Sequence, residues 1–169
     1  MEGLHEWHEF YVLLGTAAAA LVALLFVAIS ISTGNFTPQR AAATRLYTSP
    51  VVLHFSAILF VSLLMLAPAH PSVLINALIV ATAIVGACVG SFVTLKVSRD
   101  RHDEVVVFDA FAYGAFPLLG YAAMFCAAVV PWHSPELLAG GLLLLLLANI
   151  RNAWDLMLTL VRRHSPSAS

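Results

Sequence analysis

Apolar residues run almost unbroken through five stretches of the chain, at about residues 10–32, 50–68, 73–96, 106–130 and 136–161. Each is near or above the roughly 20 residues an α-helix needs to cross the hydrocarbon core of a bilayer. The polar residues between them carry helix start and stop chemistry. Ser49–Pro50 and Ser134–Pro135–Glu136 read as an N-cap followed by proline in the first turn, the second with an acidic neighbour. Pro68 and Pro71 bracket a tight connection between the second and third stretches. The segment "NFTPQRAAATRLYTS" predicts a short interfacial helix from Thr37–Pro38, ahead of a separate second span.

The pattern therefore predicts an all-α integral membrane protein with five transmembrane helices. Residues 1–9 form an acidic, histidine-rich external N-terminus, 10–163 a single membrane domain and 164–169 a frayed tail. The first stretch does not read as a cleavable signal. Its leading "MEGLHEWHE" is acidic where a signal peptide is basic, and Ala17 to Ala20 fall mid-helix.

Composition agrees with this placement. Of 169 residues, 61% are hydrophobic and 10% charged, whereas soluble domains carry about a quarter charged residues. Mean hydropathy is +0.93. A net charge of −1 excludes nucleic acid as a partner, which needs a basic patch. Cys88 and Cys126 lie alone in apolar runs, the pattern of small buried hydrophobes rather than of a disulfide or zinc site.

Charge also sets an orientation. Arg40 and Arg45 lie in the first connection, Lys96, Arg99 and Arg101 in the third, and Arg162 and Arg163 at the C-terminus. The N-terminus and the second and fourth connections hold no Lys or Arg. The positive-inside rule then puts the N-terminus outside and the C-terminus in the cytoplasm, in a multi-pass inner (plasma) membrane protein. With that topology His54, Asp109, Arg151 and Asp155 all fall in the inner half of the bilayer.

Arg151 and Asp155 raise the sharpest question, because they follow the six leucines Leu142 to Leu147. A charge in hydrocarbon costs a few kcal/mol at least and needs a reason. At about 100° per residue, Arg151, Asp155, Asn152, Ala148, Thr159 and Arg162 share one face of the fifth helix, and Asn149 departs from it. One reading is an i,i+4 pair, joined by Asp109, that locks the fourth helix to the fifth. The other has His54, Asp109, Arg151, Asn152 and Asp155 lining or gating a transport path. His54 reads as a carbonyl-bonded or interfacial histidine, or as a proton-sensitive switch. A bis-histidine haem is excluded, since only one histidine lies within the five spans.

The same topology gathers His5, His8, His70 and His133 on the outer face with Glu2, Glu6, Glu9 and Glu136. They are candidate Zn²⁺ or Cu²⁺ ligands, although "HEWHEF" lacks the HExxH spacing. Beside Trp7 and Trp132 they also read as headgroup anchors. No resident cofactor is expected.

Packing surfaces complete the picture. Thr16, Ala19, Ala20, Ala23 and Ser30 share a small-residue face, and Gly86-x-x-x-Gly90 lines up with Ala83 and Thr94. Such faces allow close helix approach within a bundle or between subunits. Gly114, Pro117 and Gly120 predict a kink in the fourth helix.

The sequence shows no nucleophile–base pairing, phosphate loop or metalloprotease helix, so no enzyme is expected. The expected function is an oligomeric channel or transport protein for an ion or small solute. The rival readings are a non-catalytic accessory subunit of a larger membrane complex, and an outward-facing metal-binding or sensory protein.

Overall fold

The computed structural model describes residues 2–32, 38–68, 72–100, 114–130 and 135–162, and these runs are helical almost throughout. They form α1 (Glu2–Ser32), α2 (Pro38–Leu66), α3 (Ser72–Asp100), α4 (Phe116–Val129) and α5 (Pro135–Arg162).

Among the described residues three helices are long and apolar enough to cross a membrane. Their spans are Trp7–Ile31, Val73–Phe92 and Pro135–Asp155, with mean hydropathies of 2.7, 2.4 and 1.5. The other two expected spans are represented by shorter apolar stretches, Pro50–Leu66 and Phe116–Val129. The fold is therefore all-helical with the character of membrane spans.

The start of α2 corrects the expected break at Ser49–Pro50. Instead of capping a new helix, Pro50 sits inside one continuous helix from Pro38 to Leu66. Proline removes one donor, the one that would reach the Leu46 carbonyl, and crowds the preceding turn. The rest of the ladder survives on both sides, helped on the N-terminal side by Ala41, Ala42 and Ala43, which favour helix.

Pro117 follows backbone that is already helical: a π-type turn at Gly114–Ala115 runs directly into α4, and Ala115 has φ −66° and ψ −43°. At the other end Val130 turns extended, and its N–H caps the Cys126 carbonyl at 3.0 Å.

Each helix packs on its neighbours in the chain, α1 touches α5, and α2 also crosses the bundle to meet α5. The bundle thus closes as a ring, braced across its middle by the α2–α5 contact. Leu14 and Ala18 of α1, Phe55, Ile58 and Val61 of α2, Met124 of α4, and Leu142 and Leu145 of α5 fill the core. The outer surface is apolar as well: Leu13, Ile31, Val73, Phe92 and Trp154 are all exposed. A water-soluble bundle would present charge at such positions.

α4 and α5 approach each other closely at two glycines. A Cβ on Gly120 would lie 2.6 Å from Leu145 Cγ and 3.0 Å from the Gly141 carbonyl oxygen, and one on Gly141 would lie 3.0 Å from the Gly120 carbonyl oxygen. A side chain at Gly120 would have to displace Leu145, and one at Gly141 would press on the Gly120 backbone, so the two glycines favour this crossing. Of the faces named from sequence, the one on α1 is turned outward, with Thr16, Ala19, Ala20, Ala23 and Ser30 exposed. Its hydroxyls bond to their own helix, Thr16 Oγ1 donating to the Val12 carbonyl and Ser30 Oγ to that of Phe26. Gly86 and Gly90 are buried inside the bundle.

Candidate functional site

The polar residues inside the bundle arise where apolar helix faces are interrupted. On α2 the core face runs through Val51, His54, Phe55, Ile58, Val61 and Ser62, an i, i+3, i+4, i+7 pattern that carries His54 inward. On α4 the inward face runs Pro117, Gly120, Tyr121, Met124 and Ala127. These faces meet, and His54 Nδ1 and Tyr121 Oη form a hydrogen bond of 2.7 Å. Both residues are within 2% of complete burial, and their ring centroids are 5.5 Å apart. The imidazole tautomer decides which of the two donates.

The third wall of this pair comes from α3. Gly86 lies against the phenol of Tyr121 so closely that any Cβ would overlap the ring. One turn further, a Cβ on Gly90 would sit 3.8 Å from His54 Cε1, an ordinary contact. The Gly86-x-x-x-Gly90 motif is thus a seat for two polar rings.

On α5 the most deeply buried polar residue is Asn149, with no exposed surface, followed by Asn152 at 2%. Asn149 Nδ2 donates to the Val51 carbonyl of α2 at 2.8 Å. The inward direction of α5 is set by Leu138, Leu142 and Leu145, and Asn149 continues that strip at i+4. Two charged residues of the face expected to avoid lipid, Arg151 and Asp155, lie at the edge of this strip. Arg151 and Asp155 face each other at 3.8 Å, and their side chains are 39% and 36% exposed. That separation is an ion pair beyond ordinary hydrogen-bond length.

Tyr11 Oη, Ser62 Oγ and Asn149 Oδ1 are buried and have no hydrogen-bond partner among the described residues. A groove of about 340 Å³ lies between α2 and α3, lined by Leu53, Ala57 and Phe60 on one side and Ala81 and Val85 on the other, with Tyr121 reaching it.

The structure thus joins His54 to Tyr121 and Asn149 to Val51, and keeps Arg151 with Asp155. Asp109, His70 and His133 lie outside the described residues, so the proposed bond from Asp109 to α5 falls there too. His5 is on α1, and His8 is exposed on the same helix. Among the described residues no group of three His, Cys, Asp or Glu side chains is placed to hold a metal. Cys88 and Cys126, expected to be buried, are exposed free thiols on outward faces of α3 and α4. In an apolar setting an exposed cysteine is one more small hydrophobe, so the pattern that called for burial holds for contact with lipid as well.

Sequence reasoning passed over Tyr121 and set Asn149 aside. Both were visible as polar interruptions of an inward apolar strip, one in a Pro117–Gly120–Tyr121–Met124 series and one in the leucine series of α5. The chain matches no family model, no curated protein and no solved structure.

Proposed function

We propose that this is a multi-pass membrane protein that transports or conducts an ion or small solute, with its buried polar residues lining or gating the path. One observation carries the reading. Ionisable and amide side chains from three helices, His54, Tyr121, Asn149 and Asn152, are buried in a bundle whose exterior is apolar, beside the half-exposed Arg151–Asp155 pair. Polar residues within membrane spans are costly and mark solute paths and proton relays more often than they serve as filler. In this reading the hydrogen-bonded His54–Tyr121 pair is the gate, and Arg151 and Asp155, at the end of the α5 span, form the entry.

The test is flux into liposomes containing the purified protein, read for protons and for monovalent ions against empty liposomes. Wild type is expected to conduct, and Tyr121→Phe, which removes one hydroxyl, to change the rate. Flux no greater than that of empty liposomes rejects the reading.

A second reading, a non-catalytic subunit that docks a larger membrane complex, is favoured by the outward small-residue face of α1. Co-purification of a partner protein in stoichiometric amount, lost on Ala19→Leu with Ala23→Leu, would support it over transport.

A further inference from the structure

One half of the Asn149 amide is satisfied and the other is not. Nδ2 donates to the Val51 carbonyl across the α2–α5 contact at 2.8 Å. Oδ1 has no hydrogen-bond partner among the described residues, on a side chain with no exposed surface. Rotating the amide by half a turn offers no remedy, because it would set Oδ1 against the Val51 oxygen, acceptor against acceptor. The orientation is therefore fixed, and Oδ1 is left as an acceptor without a donor among the described residues.

A buried carbonyl oxygen without a donor is destabilising, and native interiors meet that demand with ordered water. A water needs two or more polar partners to remain in place. Asn152, one turn along α5, and His54, one turn along α2 from Val51, are the other buried polar side chains on these two helices near the contact. Among the described residues no donor reaches Oδ1.

We propose that the α2–α5 contact holds a resident water molecule that donates a hydrogen bond to Asn149 Oδ1. The polar layer of the bundle is then hydrated at this point, and protons there exchange with bulk water. The inference does not depend on transport: such a water would be retained in a purely structural bundle too.

The test is water-edited solid-state NMR of the ¹⁵N-labelled full chain in liposomes, following magnetisation transfer from water protons to side-chain amides. The Asn149 amide signal, assigned through its backbone connections, is expected to build up several-fold faster than the backbone amide of Leu145, which is buried one turn away on the same strip. Build-up at Asn149 as slow as at Leu145 overturns the proposal. The measurement is made on the unaltered protein, so no variant has to fold. It is also separate from the flux assay: hydration without flux rejects transport alone, and flux without hydration rejects the water alone.

Discussion

The phenol ring of Tyr121 on α4 lies where a side chain on Gly86 of α3 would begin. The contact holds Tyr121 in reach of His54, and it makes Gly86 and Gly90 unequal although they belong to one motif.

Gly86→Ala is expected to lower stability by about 1–3 kcal/mol, the usual cost of forcing an extra carbon into a packed core. Gly90→Ala, with 3.8 Å of clearance to His54, should be neutral or gain up to ~1 kcal/mol from helix propensity. Thermal unfolding of the two variants in the same detergent decides this. Equal effects would mean that the ring does not lie against Gly86.

Tyr121→Phe keeps the ring and removes the hydroxyl, leaving the buried His54 Nδ1 without its partner. A loss of about 1–3 kcal/mol is expected, typical of an orphaned buried polar atom. With His54→Leu already in place, the same change should cost much less, because there is no partner left to orphan. Additive losses in the double-mutant cycle would show that the two side chains do not interact.

The Arg151–Asp155 pair should be weak. Both side chains are more than a third exposed, at 3.8 Å separation, at the end of the Pro135–Asp155 span. Exposed i,i+4 pairs contribute about 0.3–0.5 kcal/mol, whereas breaking a dry buried pair costs about 3–5 kcal/mol. The coupling between Arg151→Leu and Asp155→Leu is therefore expected below ~1 kcal/mol. A coupling of several kcal/mol would place the pair in a dry contact.

Topology follows from loop charge. A reporter fused after Ser169 should read cytoplasmic, and a tag before Met1 should be accessible from outside. A C-terminal reporter active on the outer side would reverse the placement of the polar layer in the bilayer.

Assembly, if it uses small-residue packing, has one surface left. Gly86 and Gly90 are buried within the chain, while Ala19 and Ala23 are exposed on α1. Native mass spectrometry in mild detergent is expected to show more than one copy per particle, reduced to one by Ala19→Leu with Ala23→Leu. A wild-type particle that is already a monomer excludes a homo-oligomer held by this face.

The sequence by itself determined that the chain is helical and apolar and roughly where its helices lie, because helix length and hydropathy are local properties that a run of residues carries wherever it packs. It also identified His54, Asn152, Arg151 and Asp155 as polar residues out of place. Which of them turn inward was decided by the tertiary structure. The charges suggested only that the Arg151 face of α5 avoids lipid; in the bundle burial follows the leucines, since a strip of Leu138, Leu142 and Leu145 has more contact area to gain than a polar face, and Arg151 and Asp155 stay half-exposed. Asn149 lies on that strip and went inside with it. Pro50 looked like the start of a helix and became its middle, because one missing N–H is outweighed by the turns on either side. The partnership of His54 with Tyr121 is 67 residues long in sequence. It exists because α3 supplies a glycine at the one point where α4 has to come close, and no local pattern records where three helices will meet.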